Sequence, residues 1–397
     1  MRSRLIWVAA LLGALGVAQA ARAQNAPGDF YDIPVVQSLT GGGAFLGMEE
    51  HDALQLVEKL TNRTGGIHGK TLRFVFHDDQ SSPQNAIQLA NEALATKPIV
   101  VLGTTLVAEC NAMAPLMQNG PVMYCFSPGI HPPADGYVFT GGVSTFDQAQ
   151  ALVNYFRARG WTRLALMTST DATGQDADKG FEKLLALPEN KDVTIVVHPH
   201  FNPTDVSVGA QIEQVKAANP QAFIGWATGS PSATIFRGAV EGGLTVPMGT
   251  TGGNMTFAQM HRFAAFLPKT LYLPSSVWAV NGDPRLKLDP AVAKKQKEFF
   301  AAYAAEGKKP DEGSILGWDP AIIVVDALRK LPAKATAQQL RDYLLKVKGI
   351  AGVNGVYDFE ASPQRGLTLK NIIVSVWQPE ADTWKVVAAP TGIPLAK

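Results

Sequence analysis

Between Ile33 and Asp79 the chain spells out one strand–helix–strand unit, and that unit constrains every later element. An apolar run, IPVVQSL, enters a turn of three glycines, Gly41, Gly42 and Gly43. Ala53, Leu54, Val57 and Leu60 then recur at helical spacing. Gly65-Gly66 stops the helix, and Thr71–Phe76 is a second β-rich run ending in Asp78-Asp79. Parallel strands joined by a helix place the first turn at the carboxyl edge of the sheet, where ligands bind in open α/β folds. The glycine turn is therefore the first candidate for function.

The alternation continues. Helical spacing is expected at 84–96, 107–119, 146–159, 176–186, 206–218, 233–241, 291–305, 315–331 and 337–347. Between them lie apolar runs of strand length at 99–102, 122–126, 163–168, 193–197, 222–226 and 246–249, with extended runs at 355–359, 372–377 and 384–387 near the end. Such alternation gives parallel sheets covered on both faces. A chain of 397 residues exceeds one ordinary domain, and 46% hydrophobic with 17% charged residues is enough to fill two cores. Tyr137–Thr140 followed by Gly141-Gly142 reads as a first crossing between lobes, and Leu271–Trp278 as the return. The expected division is 27–142 plus 275–352 for one lobe and 143–274 plus 353–397 for the other.

Arg2 and Arg4 precede an apolar run from Leu5 to Val17, and small residues follow at Ala18, Ala20, Ala21 and Ala23. This is the pattern of a secretory signal, 1–23, cut after Ala23 or alternatively after Ala20. No cysteine follows either cut, so a soluble periplasmic protein without a lipid anchor is expected. A net charge of +1 offers no electrostatic footprint for nucleic acid or an anionic membrane. Export places Cys110 and Cys125, early in a helical stretch and in the strand after it, where disulfides persist; a bridge or two buried thiols both fit.

SLTGGGAFLG, NRTGGIHGKTLRFVFHDDQSSPQNAIQLA and IVVLGTT resemble, slot for slot, the amino-terminal lobe of type I periplasmic solute-binding proteins, in particular the leucine/isoleucine/valine-binding receptors of ABC importers. DATGQDADKGFEKLL, FNPTDVSVGAQIEQVKAANPQAFIGWATG and GWDPAIIVVDAL resemble later parts of the same family, so the likeness spans roughly residues 33–360. The resemblance implies an α/β fold of two doubly wound parallel-sheet lobes joined by a three-strand hinge. It also implies a monomer that closes on a small-molecule ligand and delivers it to an inner-membrane ABC permease, without a cofactor.

Other chemistry is weakly supported. Thr64–Thr71 is one residue short of a phosphate-binding loop and follows a helix instead of opening one. His198 and His200 flank Pro199, but two imidazoles with no third ligand at metal spacing make a weak case for zinc, so no metal is expected. Asp78-Asp79 has no partner base, and no catalytic constellation appears. An enzyme is the minority reading.

The candidate ligand residues lie at strand ends: Gly43, Phe45 and Leu46; Thr104, Thr105, Leu106 and Val107; Ser127 and His131; Thr173; Trp226 and Thr228; and Thr251. Amino-acid receptors of the family hold the ligand carboxylate with a serine whose slot here is Val107, preceded by Leu106. They hold the ammonium with an acid whose slot is Thr251, and their tyrosine slot is Thr173. Burying an ammonium without an acid costs several kcal/mol. The departures therefore favour a small, largely apolar solute, an aromatic or aliphatic carboxylic acid; His131 could supply a switchable positive charge, against the commoner case of an exposed loop histidine before Pro132-Pro133. A branched-chain or other amino-acid receptor, or an exported sensor feeding a membrane signalling protein, is the alternative.

Overall fold

The computed structural model describes residues 29–396, so the expected signal segment lies outside the described residues. The first half runs β1 (Phe30–Gln37), α1 (Ala44–Arg63), β2 (Thr71–Asp78), α2 (Pro83–Ala95), β3 (Val100–Gly103), α3 (Val107–Met113), β4 (Val122–Cys125) and β5 (Val138–Thr140). Its strands are all parallel, in the order β2-β1-β3-β4-β5. Ile33, Val35, Val36 and Gln37 of β1 are all buried, as expected of a strand covered by helices on both faces. The order reverses between β1 and β3, and that switch point puts the glycine turn beside the loop that follows β3.

The second half continues with α4 (Thr145–Ala158), β6 (Arg163–Ser169), α5 (Ala172–Leu185), β7 (Thr194–Val197), β8 (His200–Phe201), α6 (Gly209–Ala217), β9 (Ala222–Trp226), α7 (Ser230–Glu241), β10 (Met248–Gly249), α8 (Phe257–Arg262) and β11 (Leu271–Ser276). The chain then returns to the first half through α9 (Pro290–Ala305), α10 (Glu312–Lys330), α11 (Ala337–Leu345) and the hairpin β12 (Lys348–Ala351)–β13 (Val356–Asp358). It ends in the second sheet with β14 (Ile372–Gln378), β15 (Thr383–Ala389) and β16 (Ile393–Pro394). The second sheet is ordered β16-β15-β14-β11-β10-β9-β6-β7, with β8 also beside β6.

The strands β6 to β11 run parallel, and β14, β15 and β16 extend the sheet through antiparallel pairings. A short turn through Pro379–Ala381 and Asp382 (φ +47) joins β14 to β15, and so short a connection can only form an antiparallel hairpin. The stretch expected as one helix at 107–119 tightens after Met113 into a 3-10 turn (Ala114–Met117), where Pro115 has no N–H to donate.

Helix α10 packs directly on α1. Its Gly313 and Gly317 let the backbones meet, since an added Cβ would lie 2.9 Å from the Leu46 carbonyl oxygen and 2.8 Å from that of Glu50. The β12–β13 hairpin belongs to the same face: buried Asp319 of α10 accepts from the Val353 and Asn354 N–H groups (both 2.9 Å) and from the Tyr357 hydroxyl (3.0 Å). The expected divide between 352 and 353 falls inside this hairpin. The last crossing is strapped to the first by buried Arg365, which donates to the carbonyls of Gly142 (3.3 Å) and Ile130 (2.8 Å). Cys110 of α3 and Cys125 of β4 are disulfide-bonded, with Cα atoms 6.1 Å apart.

Candidate ligand-binding cleft

The carboxyl ends of both sheets face one another across a narrow cleft. From the first half come Leu46 of α1, Thr105, Leu106 and Val107 after β3, Ser127, Pro128 and Gly129 after β4, and Glu312 and Leu316 of α10. From the second come Thr145 and Gln148 of α4, Thr173 of α5, Trp226 and Thr228 at the end of β9, and Thr251 and Gly253 after β10. The cavity left between them is small, about 30 Å³. The halves are shut on each other. The Ser230 N–H donates to the Gly42 carbonyl (3.1 Å), Phe45 meets Phe263 edge-on at 5.5 Å, and His131 Nε2 lies 2.5 Å from Asp176 Oδ1.

Of the residues expected from the sequence, Leu46, Thr105, Leu106, Val107, Ser127, Thr173, Trp226, Thr228 and Thr251 come together in this cleft. The others lie beside it. Gly43 precedes α1, with its N–H on Ser81 Oγ (3.0 Å); a Cβ there would press on Leu106 at 3.0 Å. Phe45 belongs to the seam between the halves. The Thr104 hydroxyl turns away to Asp79. His131 sits at the rim, outside the cleft lining, with its Nε2 on Asp176.

Asp78 and Asp79 have a structural role. Asp79 accepts from Ser38 Oγ (2.8 Å), the Thr104 hydroxyl and the Ser81 N–H (2.8 Å). Asp78 accepts from the Leu39 and Thr40 N–H groups and the Thr40 hydroxyl, fixing the glycine turn from below. Beneath Thr105, the buried Glu50 carboxyl accepts that residue's hydroxyl (2.6 Å), and burial pushes its pKa up to about 8.

Sequence reasoning missed Glu312, Leu316, Thr145 and Gln148. Glu312 is the first residue of α10, behind a capping box in which Asp311 accepts from the Ser314 N–H and Ser314 Oγ accepts from that of Asp311. An acidic cap followed three residues later by serine was visible in KKPDEGS, but the apolar period alone starts this helix at Ile315. The Glu312 carboxylate accepts from Trp278 Nε1 (2.7 Å), and burial pushes its pKa up to about 8 against that stabilising bond. Gln148 sets the loop after β10: its Oε1 accepts from the Gly252 N–H (3.1 Å) and its Nε2 donates to the Val143 carbonyl (3.0 Å).

No lysine, arginine or histidine side chain lines the cleft among the described residues. Instead, Thr145 opens α4 and Thr173 stands in the first turn of α5, whereas at the start of α10 the Glu312 N–H donates to the Met255 carbonyl and the Gly313 and Ser314 N–H groups to Asp311. Unpaired N–H groups at helix starts favour negative charge nearby.

A family model described as periplasmic binding protein matches residues 31–375. The chain belongs to the periplasmic binding protein family. No curated protein sequence matches it. Solved structures with the same fold include LivJ of Streptococcus pneumoniae in complex with isoleucine (19% identity, 90% of this chain and 99% of that one, TM-score 0.74). A leucine-binding protein LivK of Thermotoga maritima is similar at 18% identity, over 90% of this chain and 97% of that one, with TM-score 0.76. A solute-binding protein of an ABC transporter from Rhodopseudomonas palustris, in complex with benzoate, shares 16% identity over 92% and 97% of the two chains, with TM-score 0.73. At these identities the likeness establishes the fold alone. As a periplasmic binding protein the chain is of an extracytoplasmic, solute-receptor type, and no helix among the described residues is long and apolar enough to cross a membrane.

Proposed function

We propose that this periplasmic binding protein captures a small, largely apolar carboxylic acid, aromatic or aliphatic, in the cleft and hands it to the inner-membrane permease of an ABC importer. It does so as a monomer in the periplasm, after loss of 1–23. The character of the cleft wall carries this reading. Leu46, Leu106, Val107, Trp226 and Leu316 give apolar surface, and the polar groups are mainly threonine and serine hydroxyls. The ionisable group there, Glu312, has its pKa at about 8 and is mostly protonated at neutral pH. A protonated Glu312 donates to a carboxylate oxygen instead of repelling it, and the starts of α4 and α5 add N–H groups.

Glu312 also supports a second reading, an amino acid whose ammonium it would hold as a carboxylate in place of the acid missing at Thr251. Calorimetric titration of wild type and Glu312→Gln with benzoate, a branched aliphatic acid and leucine, at pH 6 and 9, separates the two. The acid reading expects an acid to bind the wild type more weakly at pH 9. Glu312→Gln should then keep its affinity within about threefold and lose the pH dependence. Binding of leucine alone, weakened about a hundredfold or more by Glu312→Gln, would select the amino-acid reading.

A further inference from the structure

We propose that Asp178, His198 and His200 form a binding site for a divalent transition-metal ion of the zinc class at the edge of the second sheet, separate from the cleft. In sequence the two histidines of His-Pro-His lacked a third ligand. The fold supplies one from α5, twenty residues upstream.

His198 Nε2 lies 3.1 Å from Asp178 Oδ1 and His200 Nε2 lies 3.1 Å from Asp178 Oδ2. The imidazole centroids are 4.5 Å apart, and one ligand atom from each of the three residues falls within 4.8 Å of the other two. Alternate residues of an extended chain share a face, so His198 and His200 look toward α5 together. Their backbone is held: His200 pairs with Thr168 of β6, and its carbonyl accepts from Gln211 Nε2 (3.2 Å). Thr168 Oγ1 donates to Asp178 Oδ1 (2.7 Å) and orients the carboxylate.

Two imidazoles and one carboxylate are the donor set of zinc and its neighbours, whereas calcium and magnesium take oxygen ligands. All three side chains are part-exposed, at 30% for His198, 31% for Asp178 and 44% for His200, which leaves coordination positions for water. An imidazole must be neutral to ligate, so acid competes with the ion for both histidines. Every ligand comes from one half, so a bound ion fastens β8 to α5 and does not bridge the cleft.

The test is calorimetric titration of chelator-stripped protein with zinc chloride, alongside the visible spectrum of the cobalt(II) form. One ion should bind per chain, more tightly at pH 7.5 than at pH 5.5, and excess magnesium should not compete. His198→Ala, His200→Ala and Asp178→Asn should each weaken binding about tenfold or more and remove the cobalt absorption bands, while keeping the metal-free melting temperature close to wild type. His261→Ala, whose imidazole pairs with Asp382 elsewhere, should bind as wild type does. Absence of a zinc heat at millimolar ion, or undiminished binding by the folded variant His198→Ala/His200→Ala, would overturn the proposal.

Discussion

Gly229 sits at φ +74, ψ −143 before α7, and a methyl group added there enters the seam between the halves. The new Cβ would lie 2.2 Å from the Gly42 carbonyl oxygen and 3.2 Å from its carbon, well inside the roughly 3.5 Å at which non-bonded heavy atoms rest. The seam must part by about 1 Å, and the Ser230–Gly42 hydrogen bond goes with it, at about 1 kcal/mol. With the residual overlap, the closed form loses about 2–3 kcal/mol relative to an open one. If the closed form is the one that grips solute, Gly229→Ala raises the Kd about 30- to 150-fold. Its unusual backbone angles cost about 1–3 kcal/mol in both forms, which lowers the melting temperature without touching affinity. Gly42→Ala is the control, because a Cβ at that position meets nothing within 4 Å. Calorimetry on both variants decides the matter: a folded Gly229→Ala protein that binds solute as tightly as wild type refutes the argument.

The pKa of Glu50, at about 8 against an ordinary 4.5, makes the folded state hold a proton that the unfolded chain releases. Stability from this group is therefore full below pH 4.5 and falls as pH rises through 8, by roughly 4–5 kcal/mol in all. Urea unfolding should find Glu50→Gln more stable than wild type at pH 9, with little difference at pH 4.5; parallel pH profiles for the two proteins would contradict the burial argument. Removing the Cys110–Cys125 bridge, which closes a loop of sequence separation 15, should cost about 3 kcal/mol in the same assay, and a loss below about 0.5 kcal/mol would show that α3 and β4 hold together without it.

Much of the architecture was legible because strands and helices repeat with different periods and because a parallel sheet gathers its strand tips on one edge. Leu46, Thr105, Val107, Trp226 and Thr251 could be placed in one cleft from that logic alone. The rest depends on pairings that sequence distance hides. Asp176, which holds His131, lies 45 residues beyond it and across the seam. Gln148 reaches the cleft from the second turn of α4, where apolar periodicity marks only its buried neighbours. Glu312 occupies a helix start that carries no apolar signal, and it puts an acid in a cleft whose expected acidic slot holds Thr251. The antiparallel pairing of β14 with β15 follows from one short turn, not from their composition, which suits either direction.

Small-angle X-ray scattering of the purified protein, with and without saturating solute, tests the central claim most directly. The account predicts that solute shrinks the radius of gyration and brings the curve into agreement with the shut structure described above. Identical curves in the two conditions, or expansion on binding, would contradict a cleft that works by closing.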